Sequence, residues 1–392
     1  MLEETDRLFT CEFCRVKSFL VQRGSFQYVF ADKAPSGKEL LFFPYWRFKG
    51  MFFACTPAGV QHKFMDLSYQ AVKTNRLPVS VGLRSQALKL RFVTPKTEGR
   101  FLNPSVSLTQ VMEMFDQRFS HALPKPIVHQ THIGESLSLI YAPFYVDGKL
   151  HDAVLNRPVT GISKDEAEAL FADADKPRKH IRFLPTLCPS CGWDLEGERD
   201  SLVLQCKNCE TAWQGGKSGL QQIPFAHLPL DAEPLVFMPF WRVRAEVSNL
   251  ALDTYADLVK AANLPRAVQQ GWEKIGFRFW APAFKVRPQT YIRLLTSITL
   301  AQPMEEPEKR LPKGSVHPVN LPITEAIESL KINLATFMKP RRRVMSLLPE
   351  VDIRAKSFML VYVPFVEKHH DLVHPVFQAA INKNQLRLSN NL

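Results

Sequence analysis

The sequence has no hydrophobic run long enough to cross a bilayer as a helix. The longest apolar stretch, Phe358 to Val366, includes Pro364, whereas a spanning helix needs about 20 apolar residues. The first residues, Met1 to Asp6, are acidic and lack the apolar segment of a secretory signal. We therefore expect no transmembrane segment and a cytoplasmic location.

The sequence also lacks the motifs of common catalytic sites. It contains no G-x-S-x-G, H-E-x-x-H or paired-carboxylate motif. Residues Gly215 to Gly219 include Gly-Lys-Ser but lack the upstream glycine spacing of a phosphate-binding loop. We therefore predict no catalytic residues and no organic cofactor, and an enzyme is the least favoured interpretation.

Cysteine is scarce, with seven in 392 residues, and most of the cysteines stand in Cys-x-x-Cys pairs. Such pairs favour metal binding in a reducing compartment over disulfides. Two pairs flank a hairpin predicted from Asp194 to Gln205, with its turn at Glu196 to Asp200. The 14 residues between the pairs are one fewer than the usual range of about 15–20 in a zinc ribbon, a small departure for a hairpin loop. The predicted ligands of a structural Zn²⁺ are Cys188, Cys191, Cys206 and Cys209.

The alternative to metal binding for these four cysteines is a redox dithiol or two pairs without metal. A thioredoxin-type pair follows a strand and opens a helix, and neither pair here has that context. Four protein ligands leave no open position for water, so the predicted zinc is structural and not catalytic.

A further pair, Cys11 and Cys14, repeats the start of the ribbon near the N-terminus. No second pair follows it, which favours a degenerate ribbon whose hairpin persists without metal. One alternative recruits Cys55 and His62 as the third and fourth ligands. Another shares a metal site across a dimer interface.

Lysine and arginine exceed aspartate and glutamate by 50 − 38 = 12. Such an excess favours acidic partners, for example nucleic acid or an anionic membrane surface. The basic residues are dispersed, however, and only Lys339 to Arg343 form a cluster. A solvated basic face is therefore the favoured interpretation.

Three blocks of the first half recur in the second half in the same order. They share Pro-aromatic strands, Leu-Pro and Arg-Phe steps and a Tyr-x-Pro-Phe segment. The paired blocks are Leu40–Arg47 with Leu235–Arg242 (235 − 40 = 195), Asp66–Arg100 with Asp253–Arg287 (253 − 66 = 187), and Ser136–Phe144 with Ser357–Phe365 (357 − 136 = 221). The repetition predicts a tandem duplication.

The predicted fold is α+β: two β-rich copies with short helices, related by a pseudo-two-fold and connected by the four-cysteine zinc ribbon. The predicted domains are 1–35 (degenerate ribbon-like hairpin), 36–160 (first copy), 161–180 (helix and linker), 181–216 (zinc ribbon) and 217–392 (second copy).

Periodicity and turn signals predict several elements inside the copies. Matched short helices are expected at Asp66–Lys73 and Asp253–Ala262, and Ser163 with Glu166 forms a capping box that opens another helix. Asp147-Gly148 is typical of a hairpin turn. Apolar residues at helical spacing are Leu108, Val111, Phe115 and Phe119 in the first copy, and Ile327, Leu330, Leu334 and Phe337 in the second.

Five histidines are weaker candidates for functional residues. His370 and His374 would suit a metal only on a helix, and a surface or interface role for them and His369 is favoured. His129 and His132 are placed in a loop before a strand, with a ligand role disfavoured.

The repeated pairs Trp46-Arg47 and Trp241-Arg242 could stack a base and hold a phosphate. The favoured interpretation is a core tryptophan beside an arginine that pairs a carboxylate at the surface.

The ribbon cysteines, followed by Phe237-Met238-Pro239-Phe240-Trp241 and Val361-Tyr362-Val363-Pro364-Phe365, resemble a poorly characterised group of bacterial zinc-ribbon proteins. In that group a ribbon precedes a Tyr-Val-Pro-Phe-Trp-type strand, and the resemblance lies mainly in the second half. It implies bound metal but no particular activity, because ribbons serve protein contacts as well as nucleic-acid binding.

The favoured function is a zinc-binding, non-enzymatic scaffold or adaptor that mediates protein–protein interaction. A nucleic-acid-binding ribbon protein that uses basic and aromatic surface is the alternative. The two differ in the expected salt dependence of nucleic-acid binding. The partner, the pathway and the oligomeric state do not follow from the residues.

Overall fold

The computed structural model describes residues 6–11, 16–21, 24–94, 96–121, 123–176, 182–216, 219–377 and 379–389. The chain is α+β, with most of its regular structure in sheets. It divides into two compact units. Unit 1 comprises Met1–Lys49, Met65–Ala122 and Glu135–Leu184, and unit 2 comprises Gly50–Phe64, Leu123–Gly134 and Pro185–Leu392.

The first half of the chain contains long strands and short helices. Its strands are β1 (Leu8–Thr10), β2 (Lys17–Val21), β3 (Phe26–Phe30), β4 (Leu41–Thr56), β5 (Gly59–Gln70), β6 (Leu90–Phe92), β7 (Arg100–Phe101), β8 (His129–Asp147), β9 (Lys149–Asp152), β10 (Arg157–Ser163) and β11 (Arg182–Pro185). Its helices are α1 (Arg84–Ala87), α2 (Leu108–Ser120) and α3 (Lys164–Leu170).

The second half begins with the cysteine-rich hairpin and carries more helix. Its strands are β12 (Val203–Cys206), β13 (Thr211–Gly215), β14 (Leu220–Ile223), β15 (Phe225–His227), β16 (Leu235–Val247), β17 (Phe279–Pro282), β18 (Ser315–Val316), β19 (Ile353–Glu367), β20 (Asp371–His374) and β21 (Ala379–Asn382). Its helices are α4 (Tyr255–Ala261), a 3₁₀ turn (Trp272–Lys274), α5 (Pro288–Ala301), α6 (Ile323–Glu328), α7 (Leu330–Phe337), α8 (Arg341–Leu347) and α9 (Lys383–Ser389).

Two large sheets dominate the chain. In the first, β10-β9-β8-β3-β6 are neighbours and β4 pairs with β5, β7 and β8. In the second, β17-β16-β19-β20-β21 are neighbours, while β15 pairs with β19 and β18 pairs with β16. Both sheets therefore combine a long antiparallel centre with one short parallel strand on each side of it: β3 and β7 in the first sheet, β15 and β18 in the second.

Each sheet has its own apolar core. In unit 1, Tyr28 of the short strand β3 and Phe43 of the long strand β4 pack with Phe171 at the end of α3. In unit 2, Trp241 and Tyr362 of the central strands pack with Leu294 of α5. Aliphatic and aromatic residues on long paired strands bury well against helices, which explains why the apolar runs of the sequence form sheet.

The repeated tryptophan makes an equivalent hydrogen bond within each of the two sheets. The Trp46 indole N–H donates to the Val106 carbonyl at 2.8 Å, just before α2. The Trp241 indole N–H donates to the Leu321 carbonyl at 2.9 Å, just before α6. In each sheet, the tryptophan therefore fixes the loop that leads into a helix.

A second shared pattern lies beside the repeated prolines. The Ala71 N–H donates to the Pro44 carbonyl at 2.9 Å, and the Ala283 N–H donates to the Pro239 carbonyl at 3.0 Å. Ala71 follows β5 and Ala283 follows β17, so the end of β5 corresponds to β17 with an offset of 283 − 71 = 212. This differs from the offset of 187 in the second sequence block.

The structure corrects one of the predicted helices. Asp253–Ala262 contains α4, but Asp66–Lys73 does not form its matching helix, because Asp66 lies in β5. Its carboxylate accepts two hydrogen bonds of 2.7 Å from the Arg47 guanidinium on the neighbouring strand β4. Strand pairing and this ion pair override the local helical pattern.

Other predicted elements are confirmed. Ser163 and Glu166 form the capping box of α3. The turn at Gly148, whose φ is +66°, joins β8 to β9. The first apolar stripe lies on α2, while the second is divided between α6 and α7 around Ser329.

The compact units also differ from the predicted boundaries. Residues 50–64 and 123–134, which the sequence assigns to the first copy at 36–160, belong to unit 2. They include the tip of the β4–β5 hairpin, whose Met51, Phe53 and Cys55 join the unit 2 core. In the part of the chain that the structure describes, no helix is long and apolar enough to cross a membrane.

Candidate metal centre

The four ribbon cysteines stand on two turns at one end of a small sheet. Cys188 and Cys191 lie on a turn between Leu187 and Asp194, which form an isolated bridge. Strands β12 and β13 pair from Val203–Gln214 to Cys206–Thr211. Cys206 is the last residue of β12, and Cys209 lies on the turn that follows. The hairpin is predicted from Asp194 to Gln205, and the antiparallel bridge between Glu196 and Gln205 confirms it from Glu196 onward.

The folding of both turns brings the four sulfur atoms together. The Sγ atoms of Cys188 and Cys209 are 3.6 Å apart, and those of Cys191 and Cys206 are 3.5 Å apart. All four lie within 4.8 Å of one another. Sulfurs that bind one tetrahedral Zn²⁺ stand about 3.8 Å apart, given Zn–S bonds of about 2.3 Å. The cluster therefore has the size and ligand set of a site that could hold a metal ion.

Hydrogen-bond donors favour the thiolate form of the first cysteine pair. Burial opposes the charged form of Cys188, but N–H groups of Cys191 and Ser190 and the Thr211 hydroxyl outweigh it, lowering its pKa to about 6. The Asn208 side chain and the Trp193 N–H lower the pKa of Cys191. Thiolates are the form that binds metal, so these donors favour binding.

The second pair has its own chain of donors. The Trp213 indole N–H donates to Thr211 Oγ1 at 2.9 Å. The single hydrogen of the threonine hydroxyl is then available to two sulfurs, Cys209 Sγ at 3.1 Å and Cys188 Sγ at 3.7 Å. The Thr211 donor lowers the pKa of Cys209, but burial and the neighbouring thiols outweigh it and raise the pKa to about 12. A divalent cation would offset the repulsion that keeps this last thiol protonated.

Both turns need a left-handed residue directly after their second cysteine. Gly192 adopts φ +75° and its N–H donates to the Cys188 carbonyl at 2.8 Å. Glu210 occupies the corresponding position after Cys209 with φ +51°. Glycine tolerates this region freely, whereas a residue with a Cβ atom is strained there.

Three polar contacts that no sequence pattern indicated attach the ribbon to β19 of the second sheet and to the segment between β18 and α6. The Leu202 N–H donates to the Val319 carbonyl at 2.7 Å. Gln205 Nε2 donates to the Tyr362 hydroxyl at 2.6 Å. The third contact is the hydrogen bond from Asn320 Nδ2 to Asp200 Oδ2 at 2.8 Å. The hairpin that carries the cysteines is therefore held on a buried framework within unit 2.

Among the described residues, the other predicted metal ligands do not form a comparable cluster. Cys14 lies outside the described residues, so the N-terminal pair and its degenerate ribbon stay predictions; the strands on either side of that pair, β1 and β2, are antiparallel. Cys55 is fully buried, and burial raises the pKa of its thiol to about 12, whereas His62 is exposed. Among the described residues, the ribbon cysteines are the group that could hold a metal ion.

The histidines differ in part from expectation. His369 and His370 are exposed, but His374 is buried on β20, so the predicted surface position is wrong for it. His129 and His132 lie in β8 and not in a loop. Burial, aided for His129 by Lys331, lowers the pKa of both to about 4.

The repeated Trp-Arg pairs separate into two cases. Trp241 is fully buried, which confirms its place in the core, and Trp46 is partly buried. Arg47 pairs with a carboxylate, Asp66, but both groups are buried and not at the surface. Arg242 forms no ion pair with a carboxylate in the described ranges, and its guanidinium lies over the Trp280 ring, 5.9 Å from the centroid.

Sequence reasoning identified the four cysteines but missed the residues that support them. Thr211, Asn208 and Trp213 follow the second pair closely in sequence, and this proximity was the available signal. In the comparisons with known proteins, no family model, no curated protein and no solved structure matches this chain.

Proposed function

We propose that the cysteine cluster binds one structural Zn²⁺ ion and that the ribbon is a protein-binding module of a non-enzymatic scaffold or adaptor. The observation that carries the protein-binding role is the pair of large apolar side chains on the first cysteine turn. Leu187 is 53% exposed and Trp193 is 58% exposed.

The donor set supports zinc as the metal. Four thiolates in two turns are the ligands of closed tetrahedral zinc sites, and the N–H and O–H donors to the sulfurs supply the outer contacts such sites use. Cys188, Cys191, Cys206 and Cys209 would hold the ion. It would fix both turns and supply no reactive position, because no coordination site is left for substrate.

The exposed pair sits on a backbone that the turn itself fixes. The Cys188 N–H donates to the Trp193 carbonyl at 2.7 Å, and Leu187 bridges Asp194. A rigid, exposed tryptophan with an aliphatic neighbour contributes apolar area at little entropic cost, as binding hot spots do. We infer that Leu187 and Trp193 contact an apolar pocket of a partner protein.

The charge of the ribbon favours a protein over nucleic acid at this surface. Residues 185–216 contain five acidic and two basic residues, a net charge of 2 − 5 = −3. Four thiolates with one Zn²⁺ would add about −2. The ribbon of this otherwise basic chain would repel phosphates, so the proposed partner surface is apolar with a basic rim.

Nucleic-acid binding remains the second candidate because of one basic helix. Arg341, Arg342 and Arg343 are consecutive exposed residues at the start of α8, after Lys339. A gel shift at increasing salt tests it: steep loss of binding with salt would support this function, and no binding at low salt would exclude it.

We also propose that the chain contains one β-rich module twice. The support is the shared Trp indole bond and the shared Pro–Ala bond, in strands with the same pairing pattern. The pseudo-two-fold relation between the copies stays a prediction.

Metal analysis tests the zinc site. Protein purified without chelator should contain about one zinc per chain, and Cys188→Ser or Cys206→Ser should lose it. Retention of one zinc by both variants, or its absence from the unaltered protein, would refute the site.

Photo-crosslinking in the native cell tests the protein-binding role. A crosslinking amino acid at Leu187 should capture a specific protein, and Trp193→Ser should abolish capture without loss of zinc. The control variant is Leu83→Ser, since Leu83 is 73% exposed but lies outside the ribbon. Capture that persists in Trp193→Ser, or fails equally in Leu83→Ser, would contradict the proposal.

A further inference from the structure

Three arginines lie together on one face of the second sheet. Arg242 and Arg244 alternate along β16, so they point to the same side. Strand β17 pairs with β16 antiparallel, with Arg242 opposite Trp280 and Val243 opposite Phe279. Arg278, which directly precedes Phe279, is therefore next to Arg244 on the same face.

The neighbouring residues hold these arginines over an apolar floor. The Arg242 guanidinium lies over Trp280, and its Nη2 is 3.5 Å from Met359 Sδ. Arg278 Nη1 donates to the Phe277 carbonyl at 2.7 Å. A Cβ atom on Gly276 would stand only 2.7 Å from that same nitrogen, so glycine makes room for the guanidinium.

The positive charges have no acidic partner in the described residues. None of the ion pairs there involves Arg242, Arg244 or Arg278. The acidic residue next along β16, Glu246, is already paired with Lys356 at 2.5 Å. Burial and the neighbouring arginines lower the pKa of Arg242 and of Arg278, so the positive charges repel one another.

The first sheet shows which kind of group neutralises the positive charge at the corresponding position. Arg278 precedes Ala283 by five residues, and Asp66 precedes Ala71, the corresponding alanine, by five residues. Asp66 binds Arg47 in a bidentate ion pair, and Arg47 corresponds to Arg242. The second sheet thus has an arginine where the first sheet has the neutralising carboxylate.

We propose that Arg242, Arg244 and Arg278 bind a phosphate group, either free phosphate or the phosphomonoester of a small molecule. Guanidinium groups match the oxygens of phosphate in a bidentate manner, and three of them offset a dianion. Trp280 is buried, so the floor offers apolar contact and not a face for base stacking. The bound anion takes the place that Asp66 fills in the first sheet.

Isothermal titration of the full-length protein tests the site with two probes, inorganic phosphate and glycerol 2-phosphate, against chloride at matched ionic strength. Saturable binding of either probe is expected. Tighter binding of the phosphomonoester identifies a phosphorylated small molecule as the source, and tighter binding of inorganic phosphate identifies the free ion. Absence of saturable binding of both probes overturns the proposal.

The decisive variant is Arg278→Asp, which copies the ion pair of the first sheet and so is expected to fold. It should weaken phosphate binding by about tenfold or more and raise the melting temperature measured without phosphate. Arg343→Asp on α8 makes the same change of net charge elsewhere and should bind as the unaltered protein does. Equal losses in both variants would show general attraction to a basic protein and overturn the site.

Discussion

At the scale of single residues, the two cysteine turns place different residues at the position that requires a left-handed backbone conformation. Gly192 takes the left-handed conformation of the first turn without strain, and Glu210 takes it in the second turn. The left-handed region costs a residue with a Cβ atom about 1–2 kcal/mol. Glycine avoids this strain, but it loses more conformational entropy on folding, which cancels part of its advantage.

Glu210→Gly is therefore expected to stabilise the ribbon by about 0.5–1 kcal/mol, and Gly192→Ala to destabilise it by a similar amount. Nothing lies within 4 Å of a Cβ on Gly192, so strain and not a clash would be the cause. Urea unfolding followed by the fluorescence of the ribbon tryptophans measures both. Destabilisation by Glu210→Gly would mean that the glutamate side chain has a stabilising role of its own.

His374 links a single side chain to the pH dependence of stability. Its Nδ1 accepts the N–H groups of Val376 and Phe377 at 3.3 and 3.2 Å, and its ring stacks on Phe377. Burial lowers its pKa to about 4. The folded protein therefore resists protonation that the unfolded chain, with a pKa of about 6.5, accepts.

Because the folded-state pKa is depressed, the stability from neutral His374 is complete above about pH 6.5 and is lost as the pH falls towards 4. At pH 5 the loss should be about 2 kcal/mol. His374→Asn keeps an acceptor for the same turn without titrating. Urea midpoints at pH 7 and pH 5 should differ less in this variant than in the unaltered protein; equal differences would exclude His374 as the cause.

At the scale of secondary structure, the repeated tryptophans connect a strand to the loop before a helix. Trp241→Phe should cost about 2–4 kcal/mol, since it removes buried volume and leaves the Leu321 carbonyl without its donor. Trp46→Phe should cost less, about 1–2 kcal/mol, because Trp46 is partly exposed and water can reach its site.

Thermal unfolding of the two variants checks this order. Trp213→Phe is a useful third comparison, because it breaks the hydrogen bond to Thr211 in the ribbon and leaves both large sheets intact. An effect of Trp46→Phe as large as that of Trp241→Phe would contradict the role assigned to burial.

Local patterns predicted the elements whose structure depends on neighbouring residues in sequence. The capping box of α3, the turn at Gly148 and the cysteine turns are all decided within a few residues. The strand at Asp66 was missed because its partner, Arg47, is 19 residues away on β4. The sequence offset of 187 also aligned the Arg-Phe steps, but Phe92 pairs with β3 and Phe279 pairs with β16.

The candidate site shows the same division between local and distant information. Cysteine spacing identified all four thiols, since the chemistry of metal binding restricts the residue types. The contact of Gln205 with Tyr362 joins residues that are 157 positions apart, and no spacing rule encodes it. The arginine cluster also depends on strand pairing, because Arg278 is far from Arg242 and Arg244 in the chain.

At the scale of the whole molecule, charge is unevenly distributed. The chain carries a formal net charge of +12, yet residues 185–216 carry −3. The two proposed binding surfaces follow this division, with an acidic, apolar ribbon for a protein and a basic sheet face for phosphate. Raised salt should therefore weaken the charge attraction at both surfaces. The apolar part of the ribbon contact, made by Trp193, should persist.

Removal of the proposed zinc tests how far the ribbon supports the sheet beneath it. A strong chelator should expose the backbone of residues 187–215 to hydrogen exchange, because binding of structural zinc supplies about 10–16 kcal/mol to such turns. Within that stretch, the Leu202 N–H should lose its protection, because it donates to the Val319 carbonyl beneath the ribbon.

Peptides from the first sheet serve as the internal reference in the same experiment, and Cys188→Ser without chelator should reproduce the pattern. Each hydrogen bond from the ribbon to the sheet contributes only about 1 kcal/mol, so β19 should remain protected when the ribbon opens. If β19 exchanged together with the ribbon, the metal would be stabilising the whole second sheet and not only the turns that bind it. If the ribbon stayed protected after complete zinc removal, its fold would not depend on the metal.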